Sequence, residues 1–245
     1  RPPSRGPVHR SPPPGAAATL VGVRPDGPRA VPGERPRGGE TMAWSVALAC
    51  ASAGRPAEVF RPGLRADAAA AAAVARGLYP ASRLVETGDT MLDFALWPYE
   101  DELFVGAYDR ALLVCDRRLF GLDEDARRIA DTVGTALPGG EGGVLVLHSV
   151  VSGCWFRRYE RGELVRDVFV TAEDGVVVDQ GRRLEAEQPY WKAIDEGCED
   201  VPLPFDQEAF GLRLAQEYML GRGIADRGDD GFLPLELPLR RFRLA

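Results

Sequence analysis

The chain of 245 residues is long enough for one large domain or two small ones, and its 45% hydrophobic content permits a sizeable buried core. The formal net charge is −7, and residues 42–245 alone carry 23 basic and 34 acidic side chains, a net charge of −11. Such an acidic chain is a poor match for nucleic acid. No apolar run approaches the ~20 residues of a membrane span, so we expect a soluble, cytoplasmic protein.

Residues 1–41 differ in composition from the rest. They contain ten of the 20 prolines and seven arginines against three acidic residues, and they lack Phe, Trp and Tyr. A segment with so little apolar surface is predicted to be disordered, and it has no apolar stretch of a secretory signal. Alternatively, this leader is not part of the natural protein. The first methionine is Met42, and residues 38–41 could be a ribosome-binding site translated in frame.

The cysteines lie at positions 50, 115, 154 and 198, and no two of them form a C-x-x-C pair. His148 is the only histidine after the leader that could complete a metal set. Structural zinc usually needs closely spaced Cys and His pairs, so we expect no metal site and no other cofactor. All four cysteines are predicted to be reduced, with Cys50, Cys115 and Cys154 buried in strands as small hydrophobic residues.

Strands and helices alternate in the first half of the chain. Asp67 is predicted to cap an alanine-rich helix that ends near residue 77, and Asp123 caps a second helix with one apolar face. Residues 91–96 fit either a short helix or an extended segment. Strands are predicted at residues 44–50, 83–86, 103–108 and 111–115.

The second half is dominated by residues 143–184, which predict consecutive antiparallel strands. Asp174 and Gly175 suit the positive φ angles of a type I′ turn. Further on, Asp206 is predicted to cap the last helix, Gly221 to end it, and residues 241–243 to form an edge strand. The meander strands are predicted at residues 144–151, 154–159, 164–170 and 176–178.

This pattern predicts a single α+β domain over residues 42–245. Its sheet is largely antiparallel, with the meander in the C-terminal half of the chain and about three helices packed against one face.

Three residues are candidates for catalysis. His148 lies in an apolar strand, and Cys154 could approach it if the chain turns near residue 152. Asp116 comes at the end of a predicted strand, beside Arg117 and Arg118, where functional groups often lie. Each has a structural alternative: a strand histidine bonded to a neighbour, a buried thiol, and an ion pair that caps a helix.

Four aromatic residues are candidates for binding: Trp155, Tyr159, Tyr190 and Trp191. Strand alternation places Trp155, Arg157 and Tyr159 on one face, a combination typical of contact surfaces. The same rings could instead fill the core. Acidic residues cluster near the later meander turns, at Glu173, Asp174, Asp179, Glu185 and Glu187.

Four short segments resemble a known family, at residues 113–118, 147–151, 162–166 and 190–191. Through them the chain resembles a family of uncharacterised proteins from high-GC bacteria, classed as a domain of unknown function. The resemblance covers about residues 42–245 and implies no activity, cofactor or catalytic residue. It does make His148 and Asp116 worth locating in the structure.

The absence of a recognisable catalytic constellation favours a non-enzymatic binding or accessory protein. We expect it to contact a protein partner through an aromatic and acidic surface on residues 155–191. The alternative is a hydrolase or transferase with His148 in a cleft. The sequence leaves the oligomeric state open.

Overall fold

A computed structural model describes residues 45–149, 152–195 and 202–245, which all belong to one compact unit, Glu40–Ala245. The strands in this described part are β1 Val46–Ser52, β2 Leu84–Met91, β3 Glu102–Ala107, β4 Ala111–Asp116, β5 Glu141–His148, β6 Gly153–Glu160, β7 Glu163–Thr171, β8 Gly175–Gly181 and β9 Pro238–Leu244. They form one antiparallel sheet in the order β2-β9-β3-β4-β1-β5-β6-β7-β8. The predicted antiparallel sheet and its meander, β5 to β8, are confirmed.

Helices are more numerous than the three predicted. The described residues form the α-helices α1 Pro56–Val59, α2 Ala68–Leu78, α3 Leu92–Ala95, α4 Glu124–Gly134, α5 Gln188–Asp195 and α6 Gln207–Ala215. The predicted three are α2, α4 and α6, and the carboxylates of Asp67, Asp123 and Asp206 accept hydrogen bonds from their first turns. The other three helices span eight residues or fewer, too short to give a periodic pattern.

Short tight turns complete the helical structure. Three 3₁₀ segments occur in the described chain, at Arg117–Gly121, Glu185–Glu187 and Pro234–Glu236, and a π turn at Gln216–Leu220 extends α6. Gly221 ends this turn at φ 69°, as predicted. A Cβ at this position would lie 2.2 Å from the Cα of Ala57, so the close packing of α1 also requires glycine there.

The helices cover both faces of the sheet, so the expectation of one covered face is wrong. One hydrophobic cluster contains residues of α1, α3 and α6, and the other contains residues of α2 and α4. The reason lies in the central strands, which are apolar on both faces. In β1, Val46 and Leu48 belong to the first cluster, while Ala47 and Ala49 belong to the second.

The C-terminal strand β9 is not an edge strand, contrary to prediction. It lies between β2 and β3. Arg240 pairs with Glu86 on β2 and Arg241 pairs with Glu102 on β3. Leu239 and Phe242, on either side of these two arginines in the strand, are buried in the two hydrophobic clusters. The sequence alone does not reveal the carboxylates on the neighbouring strands.

Local details also differ from the predictions. Residues 84–91 form a longer strand than predicted, and α3 occupies the segment that was left open. The φ pattern of a type I′ turn occurs at Arg161 and Gly162, at 55° and 84°, and not at Asp174, which has no positive φ. Some predictions fall outside the described residues, at positions 1–44, 150, 151 and 196–201. They concern the leader, the start of the first strand and Cys198.

Candidate functional site

The predicted candidates Asp116 and His148 lie at the same end of the sheet. They close β4 and β5, the two strands that flank β1. The chain leaves the sheet after Asp116, and the amide of Ala47 on β1 therefore donates its hydrogen bond to the carbonyl of Leu96 at 3.0 Å. This bond brings the segment after α3 across the strand ends and places Trp97 there.

Three rings meet at this end of the sheet. The ring of Trp97 lies 4.7 Å from that of Phe120, centroid to centroid. The imidazole of His148 meets both edge-on, at 5.4 Å from Phe120 and 6.1 Å from Trp97. Offset or edge-on contacts of this kind add stability beyond the area that they bury.

Arg117 stacks on the same rings. Its guanidinium carbon lies 4.3 Å from the centroid of Trp97 and 5.1 Å from that of Phe120. These distances suit a cation–π contact, and the stacking holds the guanidinium in place. We refer to Trp97, Arg117, Phe120 and His148 as the Arg117 site.

Arg117 differs from every other shielded arginine in the described chain. Seven described arginines are buried or half-buried, and the six besides Arg117 each have a carboxylate oxygen at 2.8 Å or closer. Those six are Arg157, Arg158, Arg166, Arg222, Arg240 and Arg241. Arg117 has no hydrogen-bond or carboxylate partner among the described residues, and its nitrogens reach solvent.

Burial and charge shift the pKa values of this site. Burial lowers the pKa of Arg117, and the carboxylate of Glu100 acts against that effect from a distance. Burial also lowers the pKa of His148, and the nearby cation of Arg117 lowers it further. His148 is therefore neutral at pH 7. Its Nδ1 atom is buried without a hydrogen-bond partner among the described residues.

Exposed rings continue outward from the Arg117 site. Phe94 is 62% exposed, Trp97 40% and Tyr99 69%, and the three lie within six residues of one another. Phe94 lies in α3, and Trp97 comes two residues after the end of this helix. We call Phe94, Trp97 and Tyr99 the aromatic patch.

The three predicted catalytic residues do not converge. Cys154 pairs with Leu147 and packs in the cluster on the face of α6, whereas His148 points to the other face and contacts Phe120 of the opposite cluster. Burial raises the pKa of the Cys154 thiol, which keeps it protonated. A Cys–His pair is therefore not formed, contrary to the geometry that we considered.

The contacts of Asp116 indicate a structural role. Its carboxyl group accepts a hydrogen bond from the hydroxyl of Tyr79 and another, at 2.9 Å, from the amide of Arg118, which caps the 3₁₀ turn. Burial raises the pKa of Asp116. No contact joins it to His148 in the described structure, so it does not orient the imidazole.

Three of the four predicted binding residues are buried, which removes them from any contact surface. Trp155, Tyr159 and Trp191 are each less than 5% exposed. Each polar tip has an internal acceptor: Trp155 donates to Asp167 at 2.9 Å, Tyr159 to Asp131 at 2.8 Å and Trp191 to Glu187 at 2.5 Å. Because the carboxylates accept these hydrogen bonds, the three rings can be buried in the core, which is the alternative that the sequence left open.

The predicted acidic cluster is divided among separate interactions. Glu187 is buried against Arg166, and Asp179 contacts both Arg166 and Arg183. Asp174 bonds to Thr171 within its own turn. Among the described residues, no group of three or more His, Cys, Asp or Glu side chains could hold a metal ion.

Tyr190, the fourth predicted binding residue, lines an open groove of about 490 Å³ with Tyr218, Arg213 and Glu217. Three polar side chains of this groove have partners within the protein. Tyr190 donates to the carbonyl of Ala209, Tyr218 accepts from the amide of Ala186, and Arg213 pairs with Glu217 at 3.0 Å. Its arginine is therefore paired, in contrast to Arg117.

Sequence reasoning found part of the Arg117 site and missed the rest. His148 stands out as the only histidine after the leader, and Arg117 accompanies Asp116 at the end of a predicted strand. Trp97, Phe120 and the exposed rings were not predicted, because a short helix and the loop after it carry no periodic signal. The run Phe94, Trp97 and Tyr99 beside a proline was the available clue, since aromatic residues outside regular elements are often at contacts.

Comparison with known proteins gives one match. The model described as a family of unknown function, DUF6928, matches residues 45–242. No curated protein and no solved structure matches the chain. In the part of the chain that the structure describes, no helix is long and apolar enough to cross a membrane.

Proposed function

Because the chain belongs to DUF6928, a family of unknown function, we propose its function from its own geometry: it is a non-enzymatic binding protein that contacts a protein partner through the aromatic patch. The observation that carries this proposal is the exposure of Phe94, Trp97 and Tyr99 in one short segment, at 62%, 40% and 69%. Exposed rings grouped in this way mark interaction sites on soluble domains.

The composition of the patch supports a protein partner. Trp, Tyr and Arg are the residues that most often dominate the binding energy of interfaces. Here Trp97 stacks on Arg117, and the exposed Tyr99 follows two residues later. Trp97 is held by its contacts with Phe120 and Arg117, so little side-chain entropy is lost when a partner covers it. The acidic character of residues 42–245 disfavours nucleic acid.

The proposed surface replaces the one expected on residues 155–191. The burial of Trp155, Tyr159 and Trp191 counts against that earlier location, while the expectation of a binding protein is kept. A cytoplasmic location and an origin in high-GC bacteria stay part of this proposal. The described cysteines, which are free and buried, are compatible with it.

A hydrolase or transferase that uses His148 is the second candidate. The observation in its favour is the neutral imidazole with an unpartnered Nδ1 beside an unpaired arginine. Such an enzyme would have to act without Cys154 and Asp116, which lie in other environments. We rank it second for that reason.

Site-specific photo-cross-linking tests the proposed binding surface. A photoreactive phenylalanine analogue replaces Trp97 in the full chain, which is then irradiated in its native host. We expect discrete cross-linked products from this position. As a control, the same analogue replaces Val177, which is 49% exposed on the edge strand β8, and we expect no such products there.

A second variant shows whether the patch itself makes the contact. Adding Phe94→Ser and Tyr99→Ser to the cross-linking protein should reduce the yield severalfold, because two of the three exposed rings are gone. Equal yields from positions 97 and 177, or a yield that the two serines leave unchanged, would show that the patch is not the binding surface.

A further inference from the structure

We propose that Arg117 is the anchor for a carboxylate, and that the partner binds through an acidic segment in which an Asp or Glu side chain stands beside apolar residues. This inference rests on the proposed function and names the chemistry of the ligand at the same surface. It depends on the unpaired state of Arg117, on its fixed position and on the charge around it.

The unpaired state of Arg117 is unusual in this protein. Residues 42–245 contain 34 acidic side chains, and the six other shielded arginines each contact one of the described carboxylates. A half-buried cation without a partner loses hydration and gains no ion pair in return. An incoming carboxylate would supply the missing partner.

The position of Arg117 is fixed before any ligand arrives. Trp97 and Phe120 contact the guanidinium through their rings, whereas its nitrogens have no hydrogen-bond partner in the described structure and reach solvent. A guanidinium presents pairs of parallel N–H groups that match the two oxygens of a carboxylate. The aromatic patch continues from Trp97 and supplies apolar surface for the side chains next to that carboxylate.

The charge around the site favours one carboxylate over phosphate or nucleic acid. Arg117 is the one shielded and unpaired cation in the described chain, and His148 is neutral at pH 7. Asp116 accepts the hydrogen bond at the start of the 3₁₀ turn, and Glu100 adds a carboxylate nearby. Arg118 and Arg128 already act on Asp116. A dianionic phosphate would therefore find one unpaired shielded guanidinium, whereas a monoanionic carboxylate is balanced by Arg117 alone.

Selection from a random heptapeptide library displayed on phage tests this inference with the full chain as bait. Three proteins are compared: the unaltered chain, Arg117→Gln and Arg118→Gln. The adjacent Arg118 is a matched control because it carries the same charge but is exposed and stacks on Tyr79. Melting curves of the three proteins establish that all are folded.

We expect the unaltered chain and Arg118→Gln to enrich peptides that combine Asp or Glu with apolar residues. Arg117→Gln should still enrich apolar peptides but lose the acidic preference. For a selected peptide, changing its Glu to Gln should weaken binding to the unaltered chain about tenfold or more, and binding to Arg117→Gln less than about twofold.

The outcomes separate the two proposals. If no peptide is enriched by any of the proteins, the proposed binding function fails. If apolar peptides are enriched without an acidic preference, or the preference persists in Arg117→Gln, the function stands and the carboxylate anchor is wrong. Displacement of the peptide by inorganic phosphate or a DNA oligonucleotide, dependent on Arg117, would likewise overturn the carboxylate assignment.

Discussion

The protein contains two arginine–tryptophan clusters that differ in one component. On the meander, Arg166 and Arg183 stack near Trp191, and Arg166 is fully buried with both carboxylate oxygens of Glu187 within 3.2 Å. At the other cluster, Arg117 stacks on Trp97 but forms no ion pair with a carboxylate in the described structure, and Glu100 acts on it only from a distance. We call the first cluster closed, because its arginine has a carboxylate partner. We call the second open, because Arg117 forms no ion pair in the described structure.

The comparison shows how similar residues can serve stability or binding. Trp191 is 2% exposed and donates to Glu187, so its cluster fixes α5 against the meander. Trp97 is 40% exposed and lies beside a cation with free N–H groups. A closed cluster should respond to mutation through stability, and an open one through binding.

Removal of the carboxylate from the closed cluster should have a large effect. Glu187→Gln removes the fully buried counter-charge of Arg166 and leaves it only the more exposed Asp179. Breaking a buried pair costs about 3–5 kcal/mol, and because Asp179 remains we expect a loss of about 3 kcal/mol. Urea unfolding followed by circular dichroism measures the loss. Glu185→Gln, an exposed neighbour in the same turn, is the control and should change stability by less than about 0.5 kcal/mol. A similar, small loss in both variants would show that the buried pair is not a stabilising element.

Replacing each tryptophan by alanine should destabilise the protein to a different extent in the two clusters. Trp191→Ala removes a fully packed ring and should cost about 3–5 kcal/mol. Trp97→Ala removes a ring that water already reaches, and we expect a loss of about 1–2 kcal/mol. Thermal unfolding of both variants checks the order. Equal losses would mean that Trp97 is as much a part of the core as Trp191.

The two clusters also differ in how far the sequence predicts them. The helix caps Asp67, Asp123 and Asp206 and the meander follow from local patterns, and the structure confirms them. The partners of Arg166 are 13 and 21 residues away, at Asp179 and Glu187, and no local pattern joins them. The sequence alone could therefore not decide whether the nearby aromatic residues were exposed or buried.

The open cluster depends on contacts at still greater separation. Trp97, Phe120 and His148 meet only because β4 and β5 flank β1, and the sheet order is not encoded in any one segment. The unpaired state of Arg117 is harder still to predict, since it is defined by the positions of all the carboxylates around it. Composition even suggested the opposite, because acidic residues outnumber basic ones.

Acid pH should affect the open cluster through His148. Its pKa lies below the ordinary value of 6.5, because burial and Arg117 disfavour the imidazolium. Below pH 6.5 the unfolded chain takes up this proton more readily than the folded chain, so the contribution of His148 to stability falls as the pH drops. We therefore expect the stability of the unaltered chain relative to His148→Gln to decrease between pH 7 and pH 5.

Unfolding free energies of both proteins at several pH values measure this difference. Subtracting the His148→Gln values removes the contributions of other titrating groups, including the buried Asp116, provided that the substitution leaves them unchanged. Adding Arg117→Gln should weaken the effect, because one cause of the lowered pKa is removed. A stability difference that is constant over this pH range would contradict the prediction.

The smallest expected change in stability comes from Arg117, and its comparison with Arg166 gives the sharpest contrast. Arg166→Gln leaves Glu187 buried without its partner and should cost about 3–5 kcal/mol. Arg117→Gln leaves no buried carboxylate behind. It loses only the stacking on Trp97 and Phe120, worth about 0.5–1 kcal/mol, and it relieves the unpaired charge. We expect its unfolding free energy to stay within about 1 kcal/mol of the unaltered chain, because these two effects have opposite signs. A loss as large as that of Arg166→Gln would mean that Arg117 is a structural residue, and the binding surface would then lack its anchor.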